Sequence, residues 1–250
     1  MDDLAMLLLQ IEWGADEALE EAPVNRARPT LVPAAKPAGP AARIQPATLA
    51  PNRAASIDQA MTLEALAAAI TGFAGCGLKD MATNTVLPRG DETTGVLLIG
   101  GPPNAEDDRS GQPIMGDDGA LLDQMLASIG LARDALLLSP LIPWRPPGGR
   151  EPSPTEIQTC RPFLIQLIAI AKPARIVLLG PQPARALLDA PPRGRAVGWI
   201  DTPIDGAVHT VLILPALAEV MRLPARRKDA WAGMRALRRA LDGQTGTPGR

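Results

Sequence analysis

The stretch V-L-L-I-G-G-P-P-N, residues 96–104, decides the fold of this 250-residue chain. Four consecutive apolar residues that end at a glycine pair are typical of a short strand covered on both faces, as in a parallel sheet. Three further short apolar runs predict three more strands of the same kind. They occupy residues 135–138, 175–179 and 210–214.

Helical patterns precede, separate and follow these four strands. They cover residues 56–71, 119–129, 153–170, 183–188 and about 228–241. Strands that alternate with helices predict a mostly parallel sheet between two helical layers. The expected fold is therefore α/β, a three-layer α/β/α sandwich around a central four-stranded, mostly parallel sheet.

The rest of the chain divides by composition. Residues 1–21 carry the apolar stripe of a helix, and residues 22–56 form a linker rich in proline and alanine. Such a linker buries too little apolar surface to offset its ordering entropy. The α/β domain is expected over residues 57–243, and residues 244–250 are expected to be a flexible tail.

Composition excludes several classes of function. Lys+Arg 25 against Asp+Glu 27 gives a net charge of −2, so no global basic field indicates a nucleic-acid partner. Aromatic residues make up only 2% of the chain, which argues against a base-stacking surface for single strands. One histidine excludes a multi-histidine metal site within this chain. No window approaches 18 uncharged apolar residues, so no membrane contact is expected and the chain is predicted to be cytoplasmic.

The loop that begins at Gly100 is where a ligand should bind, because crevices in open α/β sheets lie beyond the carboxyl ends of the strands. Its sequence matches neither G-x-G-x-x-G nor the P-loop. Pro102 and Pro103 also lack the backbone N–H groups that a phosphate would need. Nucleotide binding is therefore not expected at this loop.

Charge is polarised along the chain. Residues 106–123 hold six acidic residues and one arginine, whereas residues 222–250 hold eight cationic residues and two acids. A basic C-terminal helix can contact phosphates, and it can equally be a solvated face that suits its own dipole. Both interpretations stay open from the sequence.

The loop and the residues after it resemble the first motif of the type-four bacterial uracil-DNA glycosylases, usually written G-E-A-P-G…E-D…G-x-P-F-V-G…G-x-L-L-D. This chain has G-G-P-P-N at 100–104, E-D-D at 106–108, G-Q-P-I-M-G at 111–116 and G-A-L-L-D at 119–123. Its W-R-P-P-G-G-R-E-P at 144–152 is similar to the family's R-P-P-G-N-R-x-P segment. Its E-I…C-R-P-F at 156–163 and M-R-L-P…K-D-A-W at 221–231 are similar to two later motifs of the family. The resemblance covers most of the chain and implies the glycosylase sandwich fold and a role in base-excision repair of DNA.

The same resemblance implies that the family's reacting groups are lost. The acid that positions the attacking water falls on Gly101, and the phenylalanine that stacks on the flipped uracil falls on Ile114. The asparagine that reads the uracil edge falls on Pro140, and the histidine that stabilises the departing base falls on Leu214 or Ala216. His209, a few residues earlier, is interpreted as a structural residue of the last strand.

The family's four-iron four-sulfur cluster has four cysteine ligands, whose positions here hold Phe73, Cys76, Trp144 and Cys160. Phenylalanine and tryptophan cannot ligate iron. Cys76 and Cys160 are therefore interpreted as remnants of a four-cysteine site, and no metal or cofactor is expected.

Three hypotheses about function follow. The first is a catalytically degenerate glycosylase-like protein, a monomer that binds DNA weakly and without sequence preference or serves as a scaffold. The second is an active glycosylase of altered base specificity that uses the backbone of residues 100–104 and acids such as Asp107 or Asp108. The third is a protein-interaction module on the same fold, whose protein partner the sequence does not name.

Two sets of candidate site residues accompany these hypotheses. The candidate pocket consists of Gly100, Gly101, Pro103, Asn104, Asp107, Asp108, Ile114 and Ser139. The candidate DNA-binding residues are Arg145, Arg222, Arg226, Arg227 and Lys228.

Overall fold

A computed structural model describes residues 60–188 and 198–245, which all fall within one compact unit of the chain. The predicted N-terminal helix and the linker lie outside the described residues. The last five residues of the predicted tail lie outside them as well.

A five-stranded sheet forms the centre of the fold. Its strands are β1 (Val96–Ile99), β2 (Leu137–Ser139), β3 (Arg175–Leu179), β4 (Trp199–Ile204) and β5 (Ala207–Leu214). They lie in the order β2-β1-β3-β5-β4, with three parallel pairs and one antiparallel pair, β4 with β5. The predicted α/β fold with a mostly parallel sheet is confirmed.

The predicted count of four strands is wrong, because β4 lacks the continuous apolar run that marks a buried strand. Its sequence W-I-D-T-P-I places Asp201 and Pro203 on the edge of the sheet, where a residue without an N–H is tolerated. Asp205 and Gly206 join β4 to β5 with φ of 50° and 82°. Asp-Gly is a strong two-residue hairpin signal, and it would have revealed this strand.

Seven helices accompany the sheet within the described residues. They are α1 (Leu63–Gly72), α2 (Ala105–Ser110), α3 (Gly116–Ala127), α4 (Pro154–Ala171), α5 (Pro181–Leu187), α6 (Leu217–Arg222) and α7 (Pro224–Thr245). The sequence patterns locate five of them with shifted ends. They miss α2 and α6, because six residues are too few to show a helical period.

Two of these ends differ for clear reasons. Helix α7 begins at Pro224, four residues before the predicted start, and proline suits a first helical position because the N–H it lacks has no partner there. Helix α1 begins after Thr62, whose side chain accepts a hydrogen bond from the backbone N–H of Ala65.

Helices cover both faces of the sheet, and the alternation of side chains along β1 shows how. Leu97 and Ile99 belong to the apolar cluster formed with α1 and α4, whereas Val96 and Leu98 belong to the cluster formed with α3 and α7. All four side chains are almost fully buried, and each such burial contributes roughly 1.5–3 kcal/mol. This packing fixes the carboxyl ends of β1, β2 and β3, where the site lies. No helix among the described residues has both the length and the hydropathy to cross a bilayer.

Candidate functional site

A cavity of about 300 Å³ opens at the carboxyl edge of the sheet. Ligand crevices in open α/β folds lie at this edge. Six segments form its wall: the loop after β1, α2, the start of α3 with the turn before it, the loop after β2, the start of α5 with the end of β3, and α6. Its lining residues include Gly100, Gly101, Asp107, Ile114, Asp118, Pro140, Glu151, Gln182, Arg185, Ala216, Glu219 and Arg222.

The family positions converge on this wall. Gly101, Ile114 and Pro140 all line the cavity, although they lie on three different loops. Of the two alternatives for the histidine position, Ala216 lines the cavity. Leu214 is instead buried in the apolar cluster under α7. The four positions are therefore neighbours in space, and none of them carries a polar side chain.

The close approach of two loops shapes one side of the cavity. Gly180 donates its N–H to the carbonyl of Leu214 at 2.8 Å, which joins the ends of β3 and β5. A Cβ on Gly180 would lie 2.9 Å from the Cβ of Ala216, and its φ is 99°. Only glycine allows this backbone contact without a shift of the α6 loop.

The turn after β1 is held by hydrogen bonds within the chain. Asn104 caps α2 by accepting from the N–H groups of Glu106 and Asp107, at 2.8 and 2.9 Å. The Asp107 carboxylate completes a capping box, because it accepts a hydrogen bond from the N–H of Asn104 at 3.1 Å. It also accepts one from the N–H of Met115 at 2.5 Å. Burial raises the pKa of Asp107, and these backbone contacts oppose the rise. The Asp107 carboxylate lines the cavity, but both of its oxygens are engaged in holding loops.

Asp108, the other acid of the predicted pocket, points away from the cavity. Its oxygens accept from the N–H of Thr83 at 2.8 Å, the hydroxyl of Thr83 at 2.9 Å and the N–H of Asn84 at 3.1 Å. Asp108 therefore fixes the loop before β1. Pro103, Asn104 and Ser139 also lie outside the cavity lining, so half of the predicted pocket residues reach the cavity.

Ile114 lies over the cavity in a strained conformation. Its φ is 57°, which β-branched residues rarely adopt. The guanidinium of Arg133 holds this turn by donating to the carbonyl of Ile114 at 2.7 Å and to that of Gly119 at 3.0 Å. A Cβ on Gly100 would lie 3.1 Å from the Ile114 side chain, so the isoleucine packs directly on the loop after β1.

Sequence reasoning missed Asp118, which lies in the first turn of α3 and lines the cavity. Its Oδ1 is buried and accepts no hydrogen bond from any described residue. Burial raises the pKa of this carboxyl and the charge of Asp107 raises it further, while the side chain of Asn104 opposes both effects. Its neighbour Asp117 is exposed. Two adjacent aspartates look alike in the sequence, so no local pattern predicts this difference.

Five further polar side chains line the cavity, and the sequence analysis singled out only one of these five as a candidate. Two are the acids Glu151 and Glu219, and two of the other three are Gln182 and Arg185 at the start of α5. The side chain of Gln182 lies beside the position that a side chain at residue 101 would occupy. A Cβ on Gly101 would be 3.9 Å from its Oε1. Arg222, predicted as a DNA-binding residue, is the third, and its Nε donates to the carbonyl of Ala218 at 3.3 Å.

The other candidate DNA-binding cations differ in their surroundings. Arg226 pairs with Glu219 at 3.4 Å and with Asp229 at 3.6 Å, and Arg227 donates to the carbonyls of Val220 and Met221 at 3.3 and 3.2 Å. These two arginines connect α6 to α7. Lys228 is exposed, and Arg145 is half-buried with an Nε that finds no partner in the described part of the chain.

Aromatic rings fill the region where the family's cluster ligands align. The ring centroids of Phe73 and Trp144 lie 6.1 Å apart, and Phe163 packs edge-on against both, at 5.1 and 6.2 Å. Trp144 is fully buried, and its Nε1 donates to the hydroxyl of Thr85 at 3.1 Å. Both cysteines belong to the same apolar cluster.

The two thiols interact with each other. A hydrogen bond with Cys160 lowers the pKa of Cys76 to about 7, although burial opposes it. The same contact and burial raise the pKa of Cys160. Two sulfur atoms beside three aromatic rings do not fit a four-cysteine cluster, and the described residues form no group of three or more His, Cys, Asp or Glu side chains suited to a metal.

Comparison with known proteins finds the same family that the sequence motifs resemble. The family described as "Uracil DNA glycosylase superfamily" matches residues 87–237. A protein of Pyrobaculum aerophilum named "Type-4 uracil-DNA glycosylase" is 36% identical over 129 residues, which cover 52% of this chain and 66% of the relative.

Proteins of the same name from Archaeoglobus fulgidus and Thermotoga maritima are 36% and 31% identical. The first match covers 42% of this chain and 53% of the relative, and the second covers 50% and 68%. The chain thus spans from about half to about two thirds of the length of the curated relatives that it matches.

Proposed function

This chain belongs to the uracil-DNA glycosylase superfamily, and from that membership we propose that it binds DNA and admits an extruded nucleobase to the cavity, without the side chains by which the family excises uracil. The observation that carries the proposal is the convergence of Gly101, Ile114, Pro140 and Ala216 on one cavity wall. The support for the proposal is that these four residues, which align with the family's functional positions, line one wall and carry no polar side chain.

The expected deficit in uracil excision is large. A glycosylase holds the flipped base by stacking and by hydrogen bonds to its edge, and it stabilises the charge that develops on the leaving base. Loss of one preorganised donor of this kind typically costs about 10²–10³ in rate. Such losses do not add within one cooperative site, but together they leave little beyond binding.

The corner between α6 and α7 supports contact with DNA. Met221, Leu223 and Trp231 are large apolar side chains with 37%, 48% and 45% of their surface exposed. Arg222, between the first two, lines the cavity, and Lys228 is exposed on the next helix. Apolar wedges flanked by cations are the usual means by which proteins part stacked bases and hold the adjacent phosphates.

A DNA titration at several salt concentrations tests this proposal. We expect weak, sequence-independent binding that falls steeply with salt. Lys228→Ala should flatten the salt slope by about one unit, and Leu223→Ala should weaken binding without changing the slope. Arg239→Ala, at an exposed cation on the last turns of α7, is the matched control and should leave both unchanged.

Two outcomes would contradict the proposal. Absence of binding to duplex and single strands at low salt would favour the protein-interaction module. Release of uracil at a rate comparable to that of a type-4 relative would show that the family's chemistry survives.

We also propose that the chain holds no iron–sulfur cluster. The support is the packing of Phe73, Trp144 and Phe163 against one another beside the two remaining cysteines. The rings occupy volume that a cluster and two further thiolates would need.

An active glycosylase of altered base preference is the second candidate, and Asp118 is the observation that favours it. The acids first considered for this role, Asp107 and Asp108, both hold backbone N–H groups, whereas Asp118 presents a buried oxygen without a donor at the cavity wall. A strand-cleavage assay after alkali treatment, on DNA that contains uracil, hypoxanthine or xanthine, tests this candidate directly.

A further inference from the structure

A second cavity of about 300 Å³ lies between α4 and the hairpin of β4 and β5, and we call it the hairpin cavity. We propose that it binds a small amphipathic carboxylate, which is a ligand with an aliphatic body and one carboxylate group. This site is separate from the candidate site and from the binding of DNA.

The hairpin cavity lies at the opposite edge of the sheet from the candidate site. Lys172 and Pro173 precede β3, and the turn at Asp205 precedes β5, so the cavity is located where these two parallel strands begin. The candidate site is located where they end. Along β5, the distance from His209 to Leu214 is roughly 17 Å at about 3.3 Å per residue. A small ligand in the hairpin cavity therefore does not reach the candidate site.

The floor of the hairpin cavity is apolar. Ile165, Ile168 and Ala169 line it from one face of α4, because residues three and four positions apart share a helix face. Ile204, the last residue of β4, lines it from the hairpin. Ile168 and Ile204 belong to the buried apolar cluster, whereas Ala169 is exposed at the rim. Such a floor favours an aliphatic ligand body, whose transfer from water is favourable.

Three polar side chains line the rim of the cavity, namely Lys172, Asp205 and His209. Within the described part of the chain, no group pairs with the ammonium of Lys172 or with the ring of His209. Asp205 differs from both, because its carboxylate lies 4.0 Å from the guanidinium of Arg161. Arg161 and Lys172 together outweigh the charge of Asp205, so the rim has an excess of positive charge.

A ligand carboxylate complements this rim. It accepts hydrogen bonds from the Lys172 ammonium and from the N–H that a histidine ring carries in either neutral tautomer. A phosphate dianion fits less well, because Asp205 repels it and because the end of α4 presents carbonyl groups rather than N–H groups. A single carboxylate on an aliphatic chain is therefore the chemistry that the rim and the floor select together.

Titration of the full chain, without an affinity tag, with octanoate tests the proposal. His209 is the only histidine in the sequence, so the ring-proton signals of histidine in NMR spectra report on this cavity alone. We expect a saturable shift with a Kd of about 1 mM, the affinity of a small ligand of ordinary efficiency. Hexanoate should bind about 15-fold more weakly, because each buried CH₂ group contributes about fourfold in affinity.

The charged group is tested with 1-octanol, which has the same chain without the carboxylate. It should bind at least about threefold more weakly than octanoate, because it lacks the charge-assisted contacts. Lys172→Gln should weaken octanoate by a similar factor and leave 1-octanol unchanged. Arg239→Gln, at an exposed cation of α7, is the matched control and should leave both affinities unchanged.

The apolar floor is tested by filling it. Ala169→Phe places a ring over the floor from an exposed position, so it should abolish the shift with both ligands without disturbing the core. Ala68→Phe, at an exposed position of α1, is the matched control. Thermal melting of each variant checks that it is folded.

Three outcomes would overturn the inference. The first is a shift that does not saturate, or that is equal for octanoate and 1-octanol. The second is a shift that persists in Ala169→Phe, which would place the ligand elsewhere. The third is octanoate binding that Lys172→Gln leaves unchanged, which would limit Lys172 to the C-terminal end of α4. DNA binding by the same variants should equal that of the wild type, so failure here leaves the proposed function intact.

Discussion

Arg133 is the residue on which the cavity side of α3 depends. Its guanidinium donates to the carbonyls of Ile114 and Gly119 and, through Nε, to Asp123 at 2.7 Å. Ile114 sits at a φ of 57°, and backbone strain of this kind persists only where surrounding contacts hold it. One arginine thus fixes the turn that carries both Ile114 and the start of the helix with Asp118.

We expect Arg133→Ala to lower the free energy of unfolding by about 1–3 kcal/mol, because two carbonyls lose a charged donor. Chemical denaturation measures this. Arg109→Ala removes an arginine that pairs only with Glu106 on the surface, and it should cost no more than about 0.5 kcal/mol. Equal losses in the two variants would show that Arg133 does not hold the turn.

The raised pKa of Asp118 should also change how the stability of the protein depends on pH. Its pKa is raised in the folded protein, so the unfolded chain ionises first as the pH rises. The wild type should therefore lose stability relative to Asp118→Asn as the pH rises from about 4 through the folded pKa, and the difference should vanish below that range.

Thermal melting between pH 3 and pH 8 measures this difference, which should grow with pH until the folded carboxyl is ionised. Asp117→Asn is the control. A melting temperature of Asp118→Asn below that of the wild type at neutral pH would mean that the ionised carboxylate has a stabilising partner.

Packing between separate elements determines the region where the family's cluster ligands align. Phe73 follows α1, Trp144 lies in the loop after β2, and Phe163 is on α4, so the three rings connect separate parts of one layer. Ring pairs at these separations add about 0.5–1.5 kcal/mol each beyond their burial. Aromatic packing therefore connects these three elements within the described part of the chain.

Protein purified without oxygen should therefore be colourless, with iron and sulfide at background. A type-4 relative purified in parallel is the positive control. Trp144→Ala should cost about 3–5 kcal/mol, because it leaves a large cavity where three elements meet. Stoichiometric iron and sulfide in the wild type would overturn this prediction.

The β4–β5 hairpin depends on its two-residue turn. Gly206 has a φ of 82°, and a Cβ there would meet nothing within 4 Å, so its role is conformational rather than steric. Gly206→Ala should cost about 1 kcal/mol. Gly243→Ala on α7 is the matched control, because alanine favours a helix and should stabilise slightly. If Gly206→Ala left the free energy of unfolding unchanged, the hairpin would tolerate another type of turn.

In the whole molecule, the cations at the start of α7 differ in their surroundings. Arg226 and Arg227 join α7 to α6 through Glu219 and two backbone carbonyls of α6, whereas Lys228 remains exposed. We therefore propose that Arg226 and Arg227 hold the two helices together and that Lys228 is the phosphate contact among residues 226–228. The two arginines instead keep the exposed corner of α6 and α7 next to the cavity.

We expect Arg226→Ala combined with Arg227→Ala to lower the melting temperature and to leave the salt slope of DNA binding unchanged once folding is restored at lower temperature. Lys228→Ala should do the opposite. Parallel melting and salt-titration curves measure both properties. A large change in salt slope for the arginine pair would return these residues to the DNA interface.

The amino-acid sequence by itself determined the layers, most of the sheet and the location of the cavity. Short apolar runs, helical periods and turn residues reflect the conformational preference and the burial of a segment. Both can be read from residues that are adjacent along the chain. They failed at β4, where the burial pattern is that of an edge strand. The resemblance to the family implied that positions 101, 114 and 140 share one site, and all three line the cavity.

Only the tertiary structure decided which polar groups are free to act. Asp107, Asp108 and Asp118 are equivalent in the sequence, yet the first two accept backbone N–H groups. The carboxyl of Asp118 instead contacts the side chain of Asn104, and its buried Oδ1 has no donor among the described residues. Gln182 and Arg222 reach the same cavity from segments far along the chain. Whether a carboxylate has a partner depends on contacts between distant segments, and no local pattern in the sequence carries that information.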